Sequence, residues 1–277
     1  KTTGELIRAA GRGEQPEYLV NARAAAGPDA GAGEAIVRAL RGDLHAHSDW
    51  SDGGSPIAEM AQTARALGHD YLALTDHSPR LTVAHGLTRD RLERQLAVVE
   101  ELNGRWDDFR ILTGIEVDIL DDGALDQDQD LLESLDIVVA SVHSKLRMPS
   151  SEMTPRMVAA IANPATTVLG HCTGRMTSGR GDRRRVRPPS EFEADVVFEA
   201  CRQFGVAVEI NCRPERRDPP QGLMALALEI GCHFSIDTDA HAPGQLAWLP
   251  FGAARAAEAG VPIERIINSR PVDQLAT

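Results

Sequence analysis

From residue 42 onwards, short apolar runs alternate with segments of helical periodicity. Seven runs read as strands: Leu44–His47, Tyr71–Thr75, Arg110–Val117, Asp136–Val142, Thr166–Leu169, Val206–Ile210 and His233–Ile236. Between them, Pro56–Leu67 predicts a helix with Ser55 as N-cap and Pro56 at its first position, ended by Gly68. Thr88–Leu102 places Leu92, Leu96 and Val99 on one stripe. Ser190–Phe204 and Leu223–Ile230 are further helices, stopped by Gly205 and Gly231. Repeated strand–helix alternation predicts a parallel α/β sheet, closed at this length into a barrel, with an open doubly wound sheet as the alternative. Residues 1–40 differ: Thr2–Ala10, Glu17–Ala26 and Glu34–Leu40 are short helical pieces separated by glycine-rich breaks. We expect a helical lead-in and linker over 1–40 and one domain over 41–277.

The polar residues fall where the runs end. Strand one ends in His45 and His47, whose i, i+2 spacing puts both rings on one face, with Asp52 in the turn beyond. The other runs end in Asp76-His77, Glu116, His143-Ser144-Lys145, His171, Glu209-Ile210-Asn211 and Asp239-Ala240-His241. In a parallel barrel these ends share one rim, where active sites form. Six of the nine histidines occupy them; His69 and His233 read as structural, and His85 lies in a loop on the active rim. Six imidazoles and several carboxylates exceed the needs of one zinc ion, so more than one ion is expected. Closely spaced divalent ions suit phosphoester hydrolysis, and imidazole with carboxylate favours zinc, manganese or iron. In such a mechanism a metal-bound hydroxide attacks phosphorus, with Asp76 orienting a ligand or accepting a proton.

Composition changes the picture only at the margins. The 277 residues carry a formal net charge of −12, against non-specific attraction to nucleic acid, yet arginines cluster locally. No apolar run is long enough to span a membrane. The four cysteines lack CxxC spacing and read as small buried residues in a reducing, cytoplasmic setting.

The motifs resemble those of the PHP (polymerase and histidinol phosphatase) superfamily. They are Asp43-Leu-His-Ala-His-Ser48 with Ser51-Asp52-Gly53, Thr75-Asp76-His77-Ser78, Gly114-Ile-Glu116-Val117, Ser141-Val-His143-Ser144, Gly170-His171 and Asp239-Ala240-His241. The resemblance implies a distorted (βα)7 TIM-like barrel with three divalent ions. It implies one ion on His45, His47, Glu116 and Asp239, a second on Glu116, His143 and His171, and a third on Asp52, His77 and His241. Asp52 stands where many phosphatase-type members have histidine, and is similar in this to the PHP domains of bacterial family X DNA polymerases. The stretches Asp118–Asp126, Ser144-Lys145 and Glu209–Arg216 resemble that subfamily too, and Lys1–Leu19 resembles the end of a helix-hairpin-helix unit. No polymerase palm is recognisable.

A phosphoester substrate also needs cations. Lys145, Arg175 and Arg216 are the leading candidates for phosphate contacts, with Arg213 and His85 beside them. The run Arg183–Arg187 would give a nucleic-acid substrate a basic mouth. We therefore expect a metal-dependent phosphoesterase acting on DNA 3′ ends, as 3′–5′ exonuclease or 3′-phosphatase. The alternatives are a small-molecule phosphatase, such as one for histidinol phosphate, and a non-catalytic PHP scaffold.

Overall fold

The computed structural model describes residues 30–178 and 185–275. In chain order its elements are α1 (Ala30–Ala39), β1 (Gly42–Ala46), α2 (Ile57–Ala66), β2 (Tyr71–Leu74), α3 (Arg89–Asn103), β3 (Arg110–Asp118), α4 (Gln129–Leu132), β4 (Ile137–Ser141), α5 (Ser150–Ile161) and β5 (Val168–Leu169). There follow β6 (Met176–Ser178), β7 (Arg185–Arg187), α6 (Ala194–Phe204), β8 (Ala207–Asn211), α7 (Gln221–Ile230), β9 (Phe234–Asp237) and α8 (Leu249–Glu258). Seven strands form one parallel sheet in the order β1-β2-β3-β4-β5-β8-β9. All seven expected strands are present.

The sheet closes on itself, which excludes the open alternative. An isolated parallel bridge joins Ala46 to Ala240, and the His47 amide donates to the Ala240 carbonyl at 2.8 Å. Side chains complete the seam in place of a regular ladder. The Leu44 amide donates to Asp237 Oδ1 at 2.8 Å, and the Thr238 amide to Asp43 Oδ1 at 3.2 Å. Buried Asn268 clamps both strands, donating to the Gly42 carbonyl at 3.0 Å and the Ile236 carbonyl at 2.7 Å. Its own Oδ1 accepts from the Ile236 amide at 3.1 Å.

β3 is the longest strand because it serves two neighbours. Tyr71–Leu74 pairs with Arg110–Thr113, and Gly114–Asp118 then pairs with Ile137–Ser141. Gly114 sits at the changeover. A Cβ there would lie 2.8 Å from the Ile137 carbonyl oxygen and 3.0 Å from that of Leu74, so only glycine lets the three strands meet.

Alternation then decides what faces inward. Tyr71, Ala73, Leu112, Ile137, Val139, Val168 and Ala207 are buried in one cluster that fills the lower barrel. Further along the same inward faces, Glu116 lies four positions beyond Leu112, Glu209 two beyond Ala207 and Ser141 two beyond Val139, and β1 carries His45. Outside, α2 and α3 bury Ile57, Met60, Leu102 and Val99 against Leu72, Leu74 and Ile111.

Some expectations need correction. Pro56, not Ser55, is the N-cap of α2, and no side-chain hydrogen bond caps that helix. α6 starts at Ala194; Ser190 is occupied elsewhere, donating to the Leu146 carbonyl at 2.9 Å. The glycine- and arginine-rich stretch after His171 is not only loop: β6 and β7 pair antiparallel within it. α5 and α8 were not expected. Pro155 interrupts the signal of α5, and α8 buries small residues, Gly252, Ala253 and Ala256, that give little hydrophobic contrast. The expected helices over 2–10 and 17–26 lie outside the described residues. α1 packs against α8: a Cβ on Gly33 would lie 3.0 Å from the Ala254 Cα. Among the described residues no helix is long and apolar enough to cross a membrane.

Replacing Asn268 by leucine strips the β1–β9 seam of these three hydrogen bonds and leaves backbone groups unpaired. We expect a loss of about 2–4 kcal/mol, read from urea denaturation. An unchanged midpoint would mean that the seam does not depend on this clamp.

Candidate metal centre

Glu116, at the top of β3, is buried with five imidazoles around its carboxylate. His45 Nε2, His47 Nε2 and His77 Nδ1 lie 3.4, 3.6 and 2.9 Å from Oε2. His143 Nε2 and His171 Nε2 lie 3.2 and 2.8 Å from Oε1. Asp239 extends the cluster, its Oδ1 lying 3.5 Å from both His47 Nε2 and His241 Nδ1. Asp52 closes the outer side, with Oδ1 3.5 Å from His77 Nε2 and 3.4 Å from His241 Nε2. All nine residues expected as metal ligands therefore converge.

These atoms do not satisfy one another. His45 Nε2, both nitrogens of His47 and of His143, His77 Nδ1, His171 Nδ1 and Glu116 Oε2 are buried without a hydrogen-bond partner. So many unpaired buried polar atoms would be costly unless something else binds them. Two donors sharing an ion at about 2.1 Å in tetrahedral geometry lie roughly 3.4 Å apart, close to the spacings here. Among the described residues, three groups have donor atoms all within 4.8 Å of one another: His47, Asp52, His77 and His241; His45, His47 and Asp239; and His77, Glu116 and His143. The donor set fits divalent cations that accept imidazole and carboxylate. His47 and His77 each belong to two groups and stand at their junctions.

Burial alone would keep these groups neutral, but their neighbours outweigh it. Glu116 is held well below the usual carboxylate range against the pull of burial, chiefly by His143, His77 and His45. Asp239 is likewise held well below that range, chiefly by Arg216 and His47. Burial lowers His77, yet Glu116 and Asp52 raise it to about 10. His47 goes the other way, depressed by burial and by His241 and His77.

The sequence model of the PHP domain matches residues 43–213. The chain belongs to the PHP domain family. It is 38% identical over 231 residues to the DNA polymerase/3′-5′ exonuclease PolX of Bacillus subtilis, an alignment covering 83% of this chain and 39% of that protein. The chain thus spans about two fifths of that relative. A protein named probable phosphatase from Thermoanaerobacter sp. is 28% identical over 211 residues, covering 72% of this chain and 78% of the relative. The fold is similar to a histidinol phosphate phosphatase from Lactococcus lactis, solved with zinc, L-histidinol and phosphate. That match has a TM-score of 0.55 and 17% identity, and covers 80% of this chain and 94% of the other.

The side chains expected as ligands are held by partners to which the sequence assigns no role. Glu209 Oε1 lies 2.6 Å from His45 Nδ1, so that ring presents Nε2 to the centre. Asp118 accepts the His143 amide at 3.1 Å and lies 3.3 Å from its Nδ1. Both follow from inward alternation: Asp118 is two residues beyond Glu116, and Glu209 ends β8. Asp239 has φ +51°, a left-handed value that a non-glycine residue holds only under constraint. Arg216 Nε at 2.9 Å and Asn211 Nδ2 at 3.2 Å supply it, both on Oδ2.

Asp76 does not contact a ligand imidazole. It accepts from the Ser48 amide at 2.8 Å, from Ser48 Oγ and Gln95 Nε2, each at 2.6 Å, and from Ser51 Oγ. With its oxygens so engaged, it organises the Ser48–Gly53 turn that delivers Asp52 and has little capacity left to take a proton. Lys145 (φ +50°) pairs with Asp121 at 2.6 Å in an exposed ion pair. Arg213 Nη1 lies 3.4 Å from Asp239 Oδ1 and 3.1 Å from His241 Nδ1. Arg213 Nε and Arg216 Nη1 are buried donors without a partner. Arg175 has no acidic partner among the described residues, and His85 is exposed at φ +56°. Arg180, Arg183 and Arg184 lie outside the described residues.

Glu209→Gln should weaken metal binding about 10–100-fold by releasing His45, measured by competition with a chromogenic chelator. Wild-type affinity in the variant would remove Glu209 from this role. A second expectation concerns pH. The His77 value is raised from 6.5 to about 10, so its charged form stabilises the metal-free fold. That contribution is complete below about 6.5 and lost as pH rises through about 10. In chelator, the urea midpoint should fall over that window and fall less in His77→Asn; equal slopes would contradict the assignment.

Proposed function

We propose that this PHP domain hydrolyses phosphate esters using three divalent ions, zinc, manganese or iron, and that its substrate is a DNA 3′ end. The observation that carries the reading is the convergence on one rim of eight side chains in three metal-competent groups, with His171 against Glu116 as a ninth, many with unpaired buried donor atoms, beside two arginines with unused N–H groups. By position, His45, His47, Glu116 and Asp239 would hold one ion, Glu116, His143 and His171 a second, and Asp52, His77 and His241 a third. Ions held there offset charge on phosphate oxygens and lower the pKa of water.

The chain's own residues do the rest. Glu209 fixes the His45 ring, and Asp118 holds the His143 backbone amide. Arg216 and Arg213 hold Asp239 in place and keep one buried N–H each for a phosphate oxygen. Asp76 keeps the Asp52 turn closed. The 3′-end reading draws support from the Bacillus relative, whose name includes 3′-5′ exonuclease, and from Arg187 on the hairpin beside the rim. A small phosphomonoester is the second reading, favoured by the net charge of −12 and by the likeness to a histidinol phosphate phosphatase. A non-catalytic scaffold fits poorly, because no ligand position has lost a competent side chain.

Manganese- or zinc-loaded protein should release nucleotide or phosphate from 3′-recessed DNA faster than phosphate from histidinol phosphate. His143→Ala should abolish turnover, and Arg216→Met should lower kcat/KM by about 10²–10³. Faster release from histidinol phosphate would establish the second reading. Activity on neither, with metal bound, would favour the scaffold.

A further inference from the structure

We propose that Arg255, on α8, is a positioning residue for the two arginines that face the metal centre. The inference rests on reading Arg213 and Arg216 as substrate-binding groups. Among the described residues the Arg255 guanidinium has no carboxylate ion pair. Nη1 donates to the carbonyls of Asn211 and Asp218, both at 3.2 Å. Nη2 donates to that of Arg217 at 3.2 Å and to that of Pro219. Four carbonyls of one loop thus converge on one side chain. Without a cation their oxygens would repel one another, and the loop would relax.

That loop has two duties. It carries Arg213 and Arg216 to Asp239. It also carries Asp218, whose buried carboxylate accepts from Thr173 Oγ1 at 2.7 Å and from the Thr173 amide at 3.2 Å, two residues beyond His171. Gathering the carbonyls places Arg217 at φ +49°, another left-handed non-glycine residue that its surroundings must hold. Arg255 is therefore bound to the loop that steadies both the substrate side and one ligand of the centre.

The position of α8 is itself fixed on two sides. A Cβ on Gly252 would lie 2.4 Å from Cys212 Sγ and 2.7 Å from Ile236 Cγ2, so the helix lies tight on the barrel. On another flank α1 meets it at Ala254, next to Arg255. Lysine cannot substitute, because a single ammonium cannot serve four carbonyls in the plane of a fork.

The test uses the metal-loaded full chain with Arg255→Ala and Arg255→Lys; the lysine variant keeps charge and stem and guards against a folding failure. Bound metal per chain, amide hydrogen exchange over 211–219 and hydrolysis of bis(p-nitrophenyl) phosphate are measured together. Metal content should match wild type, and exchange should accelerate over 211–219 and not elsewhere. KM should rise about tenfold while kcat changes less than about threefold, the signature of lost substrate binding. Millimolar guanidinium should restore KM in Arg255→Ala. Unchanged exchange over the loop, or a uniform acceleration across the chain with no selective rise in KM, would overturn the proposal. If wild-type protein cleaves no phosphoester, the functional reading fails by itself, and exchange with metal content still decides whether Arg255 holds the loop.

Discussion

One buried carboxylate sets the electrostatics of this molecule. Glu116 has almost no solvent contact, and five imidazoles crowd its two oxygens. A charge so placed cannot rely on water, and the cost of burying it is met only by positive charge nearby. Without metal, some of the imidazoles must carry protons to supply it, which is why His45, His77 and His143 are raised despite burial. Burial and the nearness of His241 and His77 keep His47 from charging as well. Divalent ions resolve the conflict, because every ring can then be neutral and a donor.

The barrel exists to hold that arrangement. Parallel strands bring seven C-terminal ends to one rim, and inward alternation turns each end towards the axis. The requirement is precise enough that two joints are made by side chains and by a glycine. Asn268, Asp43 and Asp237 close the β1–β9 seam where a regular ladder would not, and Gly114 lets β3 change partners just before Glu116. Outer helices contribute as well. Arg156 reaches in from α5 to the carbonyls of Leu120 and Ser144, tying the loops after β3 and β4 together. Arg255 does the corresponding work for the loop after β8.

Most of the fold was legible from periodicity. Strands of aliphatic residues ending in histidine or acid announce themselves, and glycine stops mark α2, α6 and α7. α8 was not legible because, after Leu249, its buried face is alanine and glycine, which contrasts too little with its surroundings. α5 was hidden by Pro155. The ligands were legible because metal chemistry restricts residue type, so a histidine at a strand end has few other readings. The supporting residues were not. Asp76 occupies the middle of a ligand motif yet serves a turn, while Glu209, a strand-end acid like the expected ligands, orients His45. Function two steps from the metal depends on hydrogen-bond partners that only three-dimensional proximity defines.

The overall charge of −12 misleads about what this site attracts. Within the centre the acids are three, Glu116, Asp239 and Asp52. Glu116 and Asp239 are held ionised by the rings and by Arg216, while Arg213 and Arg216 add positive charge beside Asp239. Once the rings are neutral and divalent ions are bound, positive charge exceeds negative at the rim, among largely buried side chains. Field from such a site is focused locally, and a surface negative elsewhere does not cancel it. The same logic separates the two substrate readings. A small monoester needs only this focus, whereas a nucleic-acid strand must also cross the negative surface around it. A duplex end would need a basic path to do so, and among the described residues Arg175 and Arg187 follow His171 on one side of the rim, where Arg187 Nε donates to the Gly174 carbonyl.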